Sequence, residues 1–212
     1  NALETRSYAY TGSGEPLWHL NHGITPTEFR FEPCAMVPMT IWDFDGDGRD
    51  EVVTMVKGKR GYELVMLDGE AGPRRIERRA ELPEASRFVF SALAYLDGRN
   101  PYVVIATGRP CRVIAFDRSL ERYRTFDDPR YGGVHDAVWL LPYYLDDDGR
   151  DEIVHGPLLL DDDLGLYLDA TAFGGPCLGM TERSFVADID PDTWNLDPGS
   201  IEKAITGRTR AI

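Results

Sequence analysis

Short apolar runs, each closed by glycine, proline or aspartate, recur along most of this chain at the spacing of successive β-strands. A first group occupies residues 36–43, 51–56, 62–67 and 74–79. A second follows at 88–96, 102–107, 112–116 and 122–126, and a third at 137–145, 152–160 and 165–168. A further run begins at 184–188. Ahead of them, residues 1–34 are rich in turn formers (Gly12, Gly14, Pro16, Gly23, Pro26, Pro33) around one expected strand at 17–20. The last twenty or so residues, from Trp194 to Ile212, carry no strand pattern and read as irregular or helical.

Four-stranded units repeating every fifty residues or so are the pattern of β-propeller blades. The expected fold is therefore all-β: a leading segment at 1–34 with one strand from a preceding blade, blades over 35–192, and a tail at 193–212. The blade limits fall near 35–85, 86–130 and 131–180, with the next starting at 184. Rings close with about four to eight blades. Three blades and part of a fourth leave edge strands bare, which is an aggregation hazard. The remaining blades of a larger propeller, or a second copy, are the expected means of closure.

Between the first two runs of the first unit stands Asp43-Phe44-Asp45-Gly46-Asp47-Gly48-Arg49-Asp50-Glu51. The third unit repeats it as Asp146-Asp147-Asp148-Gly149-Arg150-Asp151-Glu152, with Asp50 and Asp151 lying 101 positions apart. Alternating carboxylates place several hard oxygens around one point, as Ca²⁺ requires. An EF-hand loop is excluded, because its bidentate twelfth position falls on Thr54 and His155 and both flanks read as strand. The expected ligand positions are Asp43, Asp45, Asp47, Arg49 and Glu51, and Asp146, Asp148, Arg150 and Glu152. Tyr144 stands where the first loop has Asp43, so the second copy is expected to bind more weakly or not at all. The second unit's turn, with Asp97 and Gly98, lacks the carboxylates, and the stretch at 188–192 is a degraded copy without its glycine. The competing reading is a solvated acidic turn with no ion.

A formal charge of −13 argues against nucleic acid or an anionic membrane as partner, although part of it lies in these loops. No apolar stretch is long enough to span a membrane as a helix. Three cysteines (Cys34, Cys111, Cys177) are too few for a disulfide scaffold, leaving one bridge or free thiols open. The chain begins at Asn1 rather than Met, so compartment is not legible from its start. Gly-rich phosphate loops, nucleophile elbows and zinc-type cysteine pairs are absent from the sequence.

An ordered set of segments resembles the rhamnogalacturonan lyases of polysaccharide lyase family eleven. It comprises Leu17-Trp18-His19-Leu20 with Gly23, the Asp43 loop, Tyr62-Glu63-Leu64-Val65-Met66-Leu67-Asp68-Gly69, and Ala92-Leu93-Ala94-Tyr95-Leu96-Asp97-Gly98. It continues through Gly108-Arg109, Val113-Ile114-Ala115-Phe116-Asp117, the Asp148 loop into His155-Gly156, Asp161-Asp162-Asp163, and the stretch from Val186 to Asp192. The resemblance implies a secreted, calcium-dependent, eight-bladed propeller that cleaves uronate-containing pectin backbones by β-elimination, and hence an extracellular or periplasmic location. The region from Gly132 to Trp139 departs from the family pattern and the match stops after Asp192. Other uronate polymers therefore stay open as substrates, and so does a non-catalytic, calcium-stabilised propeller for carbohydrate binding or adhesion.

Blade topology puts the acidic loops on one face and the second-to-third-strand turns on the other. That opposite face collects Lys57, Arg60, Arg87, Arg109, His135 and His155. β-Elimination needs a cation on the uronate carboxylate, a base near the adjacent ring proton and an acid for the leaving oxygen. Arg109 offers a fork for the carboxylate, His135 a base titrating near neutrality, and Tyr131 or His155 a proton donor. Lys57, Arg60 and Arg87 are the candidate substrate-binding cations. The plainer readings are a solvated turn for 57–60, an inter-blade ion pair for Arg109, a hydrogen bond to Asp136 for His135 and a structural turn for His155. His19 and His22 receive no role. Trp18, Trp42 and Trp139 are expected to pack between blades.

Overall fold

The computed structural model describes residues 5–25, 37–82, 89–107, 112–131, 140–146, 148–156 and 158–169. Its strands pair antiparallel with their sequence neighbours throughout. Strands β1 (Arg6–Tyr10) and β2 (Pro16–Asn21) form a hairpin. The first four-stranded sheet is β3 (Met39–Trp42), β4 (Glu51–Gly58), β5 (Gly61–Asp68) and β6 (Gly72–Leu82). The second is β7 (Val89–Ala94), β8 (Tyr102–Thr107), β9 (Arg112–Phe116) and β10 (Arg122–Phe126), followed by a 3₁₀ turn at Pro129–Tyr131. The third is β11 (Leu140–Tyr143), β12 (Glu152–His155), β13 (Leu158–Leu160) and β14 (Leu166–Asp169).

Strand periodicity of two explains how these sheets stack. Val53 and Met55 of β4, with Leu64 and Met66 of β5, meet Val103 and Ile105 of β8 and Ile114 and Phe116 of β9. The residues between them in the second sheet, Val104, Ala106, Val113 and Ala115, turn the other way onto Leu140, Ile153, Leu158 and Leu160. On the far side of the first sheet, Val52, Val65 and Leu67 pack on Leu20 and Trp18 of the hairpin. Strand β8 is thus buried at all six positions, and its unbroken apolar run follows from having a sheet on each face. Val103, Val104 and Ile105 each contribute about 1.5–3 kcal/mol on burial. The outermost strand β6 is instead largely exposed and carries Arg74, Arg75, Arg78 and Arg79, charges that blunt an edge.

The first strands β3, β7 and β11 neighbour one another across the sheets, so the three sheets radiate from a common inner side as blades. Among the described residues, three blades and a hairpin form an incomplete ring, as the strand pattern implied. Two strand-level expectations need correction. The described part of the leading segment holds two strands, because Arg6–Tyr10 pairs along β2. The run 152–160 is not one strand but two: Gly156 adopts a left-handed φ of 56° and folds β13 back on β12, giving the third blade its fourth strand. The expected strand at 184–188 and the tail at 193–212 lie outside the described residues, as do Cys34, Cys111, Cys177 and Trp139. Among the described residues no helix is long and apolar enough to cross a membrane.

Candidate metal centres and the opposite face

The acidic segments connect β3 to β4 and β11 to β12, the first and second strands of blades one and three. In the first loop, ligand oxygens of Asp43, Asp45 and Glu51 all lie within 4.8 Å of one another. The loop is held by its own amides: Asp43 Oδ1 accepts the Gly46 N–H at 2.7 Å, and Asp43 Oδ2 accepts that of Gly48 at 2.9 Å. Glu51 is 5% exposed, and its Oε2 accepts the Phe44 N–H at 2.8 Å. Burial pushes its carboxyl above the ordinary range; the Phe44 amide opposes this, and the charges of Asp45, Glu77 and Asp43 add to it. Asp47 stands outside the cluster, its Oδ2 taken by the Arg49 guanidinium at 2.8 Å. The expected set of five ligand positions is thus gathered only in part.

The second loop makes the same kind of cluster from Asp146, Asp148 and Glu152. Glu152 is 1% exposed; its Oε2 accepts the Leu145 N–H at 2.6 Å, while its Oε1 is buried without a hydrogen-bond partner. Burial raises this carboxyl too, with Leu145 opposing and Asp146 adding. An orphaned, buried oxygen on a carboxylate that clusters with two others is costly unless a cation answers it. Oxygen donors of this kind suit a hard divalent ion. The missing equivalent of Asp43 is compensated by Asp148, which joins the cluster where its counterpart Asp47 does not. The Arg150 guanidinium pairs with Asp162 in the β13–β14 turn.

The corresponding turn of blade two closes differently. Asp97 accepts the backbone N–H groups of Arg99 and Asn100, the Asn100 side-chain amide and the Tyr102 hydroxyl. Burial alone would raise this carboxyl, but the combined hydrogen bonds outweigh it and hold its pKa at about 2. Asn100 and Tyr102 do here what a cation would do in a carboxylate-rich loop. The sequence signal for this, an Asn and a Tyr three and five residues after the aspartate, went unread.

On the opposite face, at the other end of β4, Lys57 and Arg60 line an open cleft of about 640 Å³. They share it with Lys59, Tyr62, Glu63, Arg79 and Glu81, and Arg79 pairs with Glu63 at 2.8 Å. Lys59 belongs to the 57–60 turn read from the sequence, whereas Tyr62 and Arg79 were missed as members. Arg79 reaches the cleft only because Glu63 and Glu81 are cross-strand partners, placing β6 beside the hairpin tip. Tyr131 is 5% exposed and its hydroxyl donates to Asp169 Oδ2 at 2.7 Å, a bond that, with burial, raises its pKa. His155 is 2% exposed in β12. Neither placement suits a group that hands a proton to a polymer in solvent. Arg87, Arg109 and His135 lie outside the described residues. His22, which had no assigned role, is buried: its Nδ1–H donates to the Met55 carbonyl at 2.7 Å and its Nε2 accepts from the Ser7 hydroxyl at 2.8 Å.

Comparison with known proteins bears out the resemblance drawn from the ordered segments. The chain is similar to rhamnogalacturonan exolyase YesX of Bacillus subtilis (strain 168), 29% identical over 170 residues, covering 74% of this chain and 26% of YesX. It is also similar to rhamnogalacturonan endolyase YesW of the same organism, 23% identical over 240 residues, covering 89% of this chain and 36% of YesW. Solved structures of YesW and YesX each superpose with a TM-score of 0.63, at 20% and 23% identity. They are covered over 36% and 35% of their lengths and cover 78% and 81% of this chain, which shows the shared fold. The chain thus spans between a quarter and somewhat over a third of the curated relatives it matches. The DegT/DnrJ/EryC1/StrS aminotransferase family matches residues 177–212, a short segment wholly outside the described residues and too small to assign the chain a family.

Proposed function

We propose that this chain forms part of an extracellular or periplasmic polysaccharide lyase that cleaves a uronate-containing polymer such as rhamnogalacturonan by calcium-dependent β-elimination. The observation that carries this reading is the pair of carboxylate clusters set at the same position of two blades, in a chain whose relatives are named rhamnogalacturonan lyases. In this reading Asp43, Asp45 and Glu51, and Asp146, Asp148 and Glu152, hold Ca²⁺, which braces the loops by offsetting their charge. The polymer lies on the opposite face. Lys57, Lys59 and Arg60 meet its carboxylates, with Tyr62 available to stack on a sugar ring. Arg87 serves as a further cation for the polymer. Arg109 neutralises the uronate at the reacting sugar and His135 removes the adjacent ring proton. In this reading Tyr131 and His155, both buried, support the fold rather than donate the proton.

A second reading, a calcium-stabilised propeller that binds carbohydrate without cleaving it, is favoured by that same burial. Ultraviolet absorbance from an unsaturated uronate product separates the two. With rhamnogalacturonan and calcium, absorbance that grows and stops on adding chelator is expected for a lyase. Binding of the polymer with no growth of absorbance sinks the lyase reading.

A further inference from the structure

Tyr95 occupies the junction of all three blades. Its backbone N–H donates to Asp151 Oδ2 of blade three at 2.7 Å, and its carbonyl accepts the Asp151 N–H at 3.2 Å. Asp151 is the residue immediately before Glu152, so this two-point clasp fixes the end of the second acidic loop to blade two. Beside it, Gly98 of blade two abuts Gly149 of the loop so closely that an added Cβ would lie 2.5 Å from the Gly149 carbonyl oxygen. The Tyr95 ring reaches the other way. It meets Trp42 of blade one edge-on, with centroids 6.4 Å apart and planes at 84°. Trp42 immediately precedes Asp43 and is the cross-strand partner of Glu51. One residue therefore touches the neighbours of both carboxylate clusters, with its backbone on one and its ring on the other. Glu152 supplies a second pointer to a cation: its buried Oε1 is without a hydrogen-bond partner, and its carboxylate clusters within 4.8 Å of those of Asp146 and Asp148.

We infer that Tyr95 couples the two acidic loops, so that a divalent cation held by either one raises the affinity of the other. A cation that draws Glu152 toward Asp146 and Asp148 fixes Asp151, and through it the Tyr95 backbone. The Tyr95 ring then holds Trp42, and Trp42 holds the register of Asp43 against Glu51. Coupling of this kind is reciprocal, because the free energy linking two binding events is the same in either order. Tyr95 acts here as a positioning residue and touches no cation itself. The inference rests on the cation-binding reading of the loops given above.

The test uses calcium titration with calorimetry, alongside hydrogen exchange read separately over peptides spanning each loop. Glu51→Gln is expected to weaken binding at the second loop about fivefold or more, and Glu152→Gln to weaken the first by the same factor. Tyr95→Ala should abolish this cross-effect with both loops still binding, and Tyr95→Phe, which keeps the ring, should retain it. In the wild type, calcium should slow exchange at the Tyr95 amide as well as within the loops, a readout needing no variant. Loops that bind calcium with affinities independent of each other, or a Tyr95→Ala chain with the cross-effect intact, overturn the coupling and leave cation binding standing. Calcium that slows exchange at neither loop overturns the cation reading and the coupling with it.

Discussion

The Tyr102 hydroxyl donates to Asp97 Oδ2 at 3.1 Å, closing the inner turn of blade two without the carboxylate partners that crowd the turns of blades one and three. Because three further donors converge on Asp97, its folded pKa of about 2 lies below the ordinary value of 3.8. A depressed carboxyl contributes stability at pH above its unfolded value, and that stability is lost as pH falls through the folded one. Acid unfolding should therefore steepen between about pH 4 and pH 2. In Asp97→Ala that dependence should flatten, and urea midpoints measured across this window check it.

Glu152 sets a prediction whose sign depends on the solution. With chelator present, its buried, unpartnered oxygen is a burden. Glu152→Gln should then melt at the wild-type temperature or above. With calcium at about a hundred times its dissociation constant, the wild type should gain about 2.7 kcal/mol from this site, and the variant should lose that increment. Paired melting curves in calcium and in chelator decide the matter.

Trp18 rests on Gly72, with Nε1–H donating to the Gly69 carbonyl at 2.7 Å. A Cβ at residue 72 would lie 2.3 Å from the indole Cγ, on a backbone whose φ is +58°. Gly72→Ala should cost about 1–3 kcal/mol by lifting the β1–β2 hairpin off blade one. Trp18 fluorescence should respond as the indole becomes wetter, and an unchanged midpoint would refute the account.

Lys59 and Arg60 are exposed at the tip of the β4–β5 turn, inside the cleft shared with Tyr62. If a uronate polymer contacts this face, K59A/R60A should weaken its binding about threefold to thirtyfold at low salt. The gap from wild type should narrow as ionic strength rises, because exposed charges are screened beyond about 10 Å at 0.1 M. Affinity electrophoresis in polymer-loaded gels, repeated across salt, reads both effects.

The acidic loops were legible in sequence because a repeat announces itself twice, and carboxylates alternating with glycine have few other uses between strands. The stacking order was legible in part. The unbroken apolar run from Tyr102 to Thr107 points to a strand covered on both sides, but not to which residues face which neighbour. Strand β1 escaped notice because Arg-Ser-Tyr-Ala-Tyr carries little aliphatic signal; Tyr8 and Tyr10 point to solvent. The sequence set His155 at a turn yet ran 152–160 together as one strand, because Leu158, Leu159 and Leu160 continue the apolar run across Gly156. The Tyr131–Asp169 bond joins residues 38 apart in two blades, and periodicity says nothing about such a meeting.

Strand β8 offers solvent neither of its sides, and that has a bearing on how such a chain can change. Adding or deleting one residue there would exchange the two sets of side chains and misfit both adjoining blades at once. The connecting turns bear no such restriction. Asp97, Asn100 and Tyr102 can stand where a sister blade keeps a carboxylate trio, with the layers beneath untouched. Variation in the charge of these turns is thereby confined to the rim, and the framework carrying it is free to stay constant.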